Sequence, residues 1–165
     1  MKKVLHALML ATLVLASVPA SAKSETIGIE ITGPSLAKPL EVRQQGILKQ
    51  FSIWSVSFID HERGVVPAPP ADLQRQRVVF HQGGREPMQE WHRRYVVTYV
   101  YDPSRGGGFI YFPGPRDDPS AGPRDGTDYQ RNVFSIVRGT EGKWFRSSPA
   151  WERAVRPLIE KAAAK

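Results

Sequence analysis

No cysteine occurs among the 165 residues. That absence excludes disulfides, thiolate metal sites and a cysteine nucleophile, and with them the lipid-accepting cysteine a lipoprotein carries behind its leader. Serine-nucleophile strings of the GxSxG type are missing, as are HExxH and the GK[ST] ending of a phosphate-binding loop. Acidic residues are also scarce, 16 against 23 lysines and arginines, for a formal charge of +7. Long hydrophobic runs are lacking everywhere except at the start.

There, Lys2 and Lys3 precede an almost wholly apolar stretch from Val4 to Val18, followed by the small-x-small triplet Ala20-Ser21-Ala22. The stretch is short for a bilayer span, and no second one follows it. Residues 1–22 are therefore expected to be a signal peptide, cleaved to leave Lys23 first in a periplasmic or secreted product without a transmembrane segment. Loss of Lys2 and Lys3 leaves +5, unevenly spread: residues 23–72 hold five basic and six acidic groups, residues 73–165 sixteen and ten. An arginine-rich second half suits a solvated surface, and it also suits an anionic envelope component or an acidic protein as partner. Nucleic acid is the less favoured partner.

The most apolar part of the mature chain is Tyr95 to Gly114, YVVTYVYDPSRGGGFIYFPG. Two runs of aromatic and β-branched residues flank a Pro and Gly turn, which predicts a β-hairpin in the middle of an antiparallel sheet. Alternation puts Tyr95, Val97, Tyr99 and Tyr101 on one face, as an aromatic ladder with hydroxyls reaching water or as a platform for a partner. The triple glycine lacks the context of a phosphate cradle and reads as a turn.

Ile27, Ile29 and Ile31 alternate, and Pro39 to Val42 resumes the pattern after a Gly-Pro break, predicting a first hairpin. Gln44 to Phe51 has the spacing of a short helix, and Phe51 to Ile59 is ambiguous between strand and irregular chain. Val66-Pro67-Ala68-Pro69-Pro70 reads as an extended surface crossover, Arg77 to His81 as a short strand, and Tyr129 to Val137 as a last strand. Residues 113–128 hold four prolines and three glycines without a large apolar side chain beyond the hairpin, and are expected to form a disordered-like loop. Ser148 before Pro149 starts a helix whose stripe runs Trp151, Ala154, Val155, Leu158, Ile159 and Ala162, kinked or split at Pro157. The expected fold is a single α+β domain over residues 23–165. It is an antiparallel sheet of about five strands, with a short helix after the first hairpin and a C-terminal helix on one face.

Arg138, Lys143, Trp144 and Arg146 form the leading candidate binding set, because guanidinium forks take oxyanions and an adjacent aromatic offers a stacking face. Against this stands the reading that Trp144 or Phe145 plugs the core beneath the helix and the cations merely frame a tight turn. No cofactor or metal motif is present, and the reading is of a non-enzymatic exported binding module. Its alternative is a small hydrolase using His61 or His92 with a carboxylate, since His61 lies between Asp60 and Glu62.

From Gly33 to Ile159 the order of GPSLAKPLEV, FSIW, YDPSRGGGFIYFPG and RGTEGKWFRSSPAWERAVRPLI resembles a group of short, uncharacterised exported bacterial proteins. The resemblance implies a secreted single domain. It implies no activity and no catalytic residue.

Overall fold

Hydrophobic alternation is converted into one sheet. The computed structural model describes residues 25–83, 93–117, 128–133 and 139–164. Its strands are β1 (Glu25–Thr32), β2 (Leu40–Val42), β3 (Val65–Val66), β4 (Arg75–Gly83), β5 (Arg93–Asp102), β6 (Gly107–Phe112) and β7 (Lys143–Arg146). They form a seven-stranded sheet in the order β2-β1-β4-β5-β6-β7-β3. Every pairing is antiparallel. The expected α+β class and the central hairpin β5–β6 stand, with seven strands rather than about five.

The extra strands come from segments with weak patterns. β3 adjoins the proline-rich crossover, and proline keeps it short and at the sheet edge. β7 is only four residues long, between a turn and a helix cap. Conversely, the strand expected at Tyr129 to Val137 is in its first part a helix, α2 (Asp128–Val133), and residues 134–138 lie outside the described chain. A bulge corrects β1 as well. The pairing with β4 slips between Thr26 and Gly28, so Ile27 turns outward at 48 % exposure while Ile29 and Ile31 are buried.

One face of the sheet carries the main core. Tyr95, Val97 and Tyr99 of β5 point into it with Phe80, Ile110 and Phe112. The tyrosine face is therefore an interior surface, and the expected ladder with wet hydroxyls does not form. α1 (Gln45–Gln50), α3 (Pro149–Ala154) and α4 (Arg156–Ala163) supply the opposing side through Leu48, Trp151, Val155 and Ile159. Trp151 is fully buried, with Phe51 at 5.1 Å, Phe80 at 6.0 Å and Tyr99 at 6.0 Å between ring centroids. Burial of a side chain that large makes it a principal anchor of the core. Ser148 caps α3, its hydroxyl accepting from the Trp151 amide at 3.1 Å. The apolar stripe divides at Val155, and Pro157 falls in the first turn of α4, where its missing N–H is not needed.

α2 covers the other face, and one residue explains how. β6 pairs with β5 only from Thr98 onward, so the earlier half of β5 lacks a strand on that side. Val96 lies opposite Val79 of β4 with its peptide groups turned toward this gap. Asn132 fills it: its Oδ1 accepts from Val96 N at 2.7 Å, and its Nδ2 donates to Val96 O at 2.6 Å. A side-chain amide thus completes the ladder where the neighbouring strand has ended. Asp128 secures the other end of α2, accepting from Arg77 Nε at 2.8 Å and Nη2 at 2.5 Å.

Candidate functional site

The hairpin turn sets the geometry of the site. Asp102 Oδ1 accepts from the amides of Ser104 (2.9 Å) and Arg105 (3.3 Å) and from the Ser104 hydroxyl (2.6 Å). The Ser104 hydroxyl first, then these amides and the Arg105 charge, hold the Asp102 carboxyl below the usual carboxylate range against the opposing effect of burial. Gly106 has φ of 62°, a left-handed conformation that suits glycine. Gly108 is required for closeness instead, since a Cβ there would come within 2.4 Å of Glu152 Oε1 and of Tyr99 Cε2. Of the triple glycine expected to be a turn, only Gly106 turns the chain; Gly107 and Gly108 open β6, where Gly108 serves close packing.

Register then assembles a row across four strands. Arg75 of β4 lies opposite Val100 of β5, Val100 opposite Phe109 of β6, and Phe109 opposite Arg146 of β7. Two residues along, and so on the same face, come Arg77, Thr98, Tyr111, Trp144 and Val66. This face points away from the main core and holds a second apolar cluster of Val100, Phe109 and Trp144. Arginines lie over its rings. The Arg146 guanidinium carbon is 4.4 Å and that of Arg105 5.6 Å from the Phe109 centroid, while Arg75 is 5.5 Å from that of Trp144. Stacking of this kind is worth about 0.5–2 kcal/mol per pair, and it holds the planar fork in place before any ligand arrives.

Charge on this face is only partly compensated. Arg105 Nε is 3.5 Å from Asp102 Oδ2, and Arg146 Nη2 donates to the Arg105 carbonyl at 3.0 Å. Neither Arg75 nor Arg146 makes an ion pair among the described residues. Besides Asp102 and the Asp128 paired with Arg77, the face holds Asp117, which accepts from the Tyr111 hydroxyl at 2.8 and 3.0 Å and also from Gly114 N. Burial, then this hydrogen bond and the Asp117 charge, push the Tyr111 hydroxyl up to about 12, with the Arg75 charge opposing.

The four residues singled out from sequence are thus separated. Trp144 and Arg146 belong to the row. Lys143 has the opposite parity, pairing with Phe112, and its ammonium donates to the Gly139 carbonyl at 2.6 Å. Arg138 lies outside the described residues. The two readings of the aromatic pair divide between its members: Phe145 packs on core residue Phe112 at 5.4 Å, whereas Trp144 stacks near Tyr111 at 4.9 Å on the other face. Arg75, Arg105 and Phe109 escape the sequence reading, and only strand register could have found them.

The histidine readings resolve differently. His61 Nε2 lies 3.2 Å from the Val56 carbonyl, which assigns it the proton and makes it the donor. Val56 is a β-branched residue at φ of 49°, so this bond braces a strained turn. Asp60 accepts from the Glu62 amide at 3.1 Å and lies 3.3 Å from Arg63. His92 lies outside the described residues. Another carboxylate, Glu152, accepts from Tyr99 (3.0 and 3.2 Å) and from Ser147, with Arg156 Nε 3.7 Å away. That cluster ties α3 to β5 and to Ser147, the residue after β7. Burial first, then the Glu152 charge, raises the Tyr99 hydroxyl far above the ordinary phenol value. Among the described residues, no group of three His, Asp or Glu side chains could hold a metal ion, and no helix is long and apolar enough to cross a membrane.

Comparison with protein-family models, with curated proteins and with solved structures finds no match. The functional reading therefore rests on the site itself.

Proposed function

We propose that the protein is a non-enzymatic exported binding module, periplasmic or secreted, whose ligand is anionic and occupies the arginine-covered face of the sheet. The observation that carries this reading is the set of three guanidiniums laid over Phe109 and Trp144, two of them without an ion pair among the described residues. Arginines immobilised on rings lose little further freedom on binding, and their forks match oxyanion geometry. The leader-like sequence of residues 1–22 supports export. An anionic envelope component supplies the required charge.

Binding of anionic phospholipid vesicles and of polyphosphate at low and high salt tests the proposal. Each surface contact is worth about 0.2–1 kcal/mol, so replacing Arg75, Arg105 and Arg146 together with Gln is expected to weaken binding up to about a hundredfold. Wild-type binding should also weaken steeply with salt. Lys143→Gln, altered on the opposite parity, should bind like wild type. No binding at low salt, or equal loss in both variants, defeats the proposal.

A further inference from the structure

We infer that the ligand of this face is a chain bearing oxyanions at successive units, and that it is held at two positions at once; this rests on the proposal that the face binds anions. The arginines fall into two groups. Arg105 and Arg146 share Phe109, whereas Arg75 covers Trp144. Phe109 and Trp144 are diagonal neighbours on adjacent strands, because Phe109 faces Arg146 and Tyr111 faces Trp144. Diagonal neighbours are about 7–8 Å apart, so the two cationic positions are neighbours without coinciding.

A compact oxyanion placed at the Phe109 pair leaves Arg75 unused, and one at Arg75 meets a single fork. A linear polyanion supplies a group to each position, and its second contact is intramolecular, with the gain in effective concentration that follows. Single-stranded nucleic acid carries the same charge but derives much of its affinity from bases stacking on open aromatic faces. Those faces are closed here: Phe109 is 2 % and Trp144 9 % exposed, beneath the guanidiniums. Charge is on offer without a stacking platform, which favours a chain without bases.

Calorimetric titration with linear polyphosphate and with inorganic phosphate, at equal total phosphate, tests the inference. Polyphosphate is expected to bind at least tenfold more tightly per phosphate. Arg75→Gln should remove that advantage, bringing the affinity for polyphosphate per phosphate down to that for inorganic phosphate. Arg75 is exposed, so this variant should fold, and Arg146→Lys provides a second one that keeps the charge while losing the fork. If inorganic phosphate binds as tightly as the chain, or Arg75→Gln leaves the advantage unchanged, two-position binding is wrong and the anion proposal stands. Two-position binding fails in the same way if anionic vesicles bind and polyphosphate does not, or if a single-stranded oligonucleotide binds more tightly than polyphosphate. If no anionic probe binds, both readings fall.

Discussion

Replacing Asn132 with alanine removes one side chain and strands two backbone groups. The amide satisfies both the N–H and the C=O of Val96, at 2.7 and 2.6 Å, from a position only 5 % exposed. A buried donor or acceptor left without a partner costs about 1–3 kcal/mol. Partial relaxation of α2 will admit some water, so the expected loss is about 2–4 kcal/mol for the pair. With a denaturant slope of about 1–3 kcal/mol per molar urea, the unfolding midpoint should fall by roughly 1–2 M at unchanged slope. Asn132→Asp keeps the acceptor for Val96 N but sets a carboxylate oxygen against Val96 O. It should be at least as damaging at neutral pH, and should recover in part in acid, where the carboxyl can donate. A loss under about 0.5 kcal/mol in Asn132→Ala, within the range of an ordinary surface change, refutes the idea that Asn132 completes the ladder of β5.

Other perturbations separate the remaining claims. Gly108→Ala sets a Cβ within 2.6 Å of Ser147 Oγ and closer still to Glu152 and Tyr99, and should cost about 1–3 kcal/mol in urea unfolding. Gly46→Ala in α1, where a Cβ meets nothing within 4 Å, should instead stabilise by about 0.5–1 kcal/mol. Asp102 has a lowered carboxyl value in the folded chain, so its contribution is complete above the unfolded value of about 3.9 and is lost as pH falls through the folded one. The stability difference between wild type and Asp102→Asn should therefore shrink below about pH 4, and a constant difference across the acid range contradicts this. Asp117→Asn removes one anion beside the arginine row and should strengthen anion binding about 1.4- to 5-fold, the worth of one exposed pair. Unchanged or weaker affinity argues against the row as the site.

What the sequence made legible was whatever a local pattern encodes. β5 and β6 carry dense aromatic and β-branched alternation around a Pro and Gly turn, and the stripe from Trp151 to Ile159 survives Pro157 because the proline falls at a helix start. Residues 129–133 misled because Tyr129 and Val133 favour strands, while the decisive interaction is Asn132 reaching Val96, thirty-six positions away. Ile27 misled because a bulge between Thr26 and Gly28 takes it out of phase with Ile29 and Ile31, which keep the buried face. The candidate site was half visible. Trp144 and Arg146 stood out as a basic-aromatic string, but Arg75 and Phe109 join them only through the register of four strands, which no local window contains.

The central claim is that the arginines over Phe109 and Trp144 receive an anion. Its most direct measurement is an NMR titration with linear polyphosphate, following arginine Nε–H and tryptophan indole signals. The Arg75, Arg105 and Arg146 resonances and the Trp144 indole should shift together and saturate together, with the Trp151 indole, buried in the main core, unmoved. Shifts confined to Lys143 and the lysines and arginines of α3 and α4, with the Trp144 indole unchanged, would place the anion elsewhere and contradict the account.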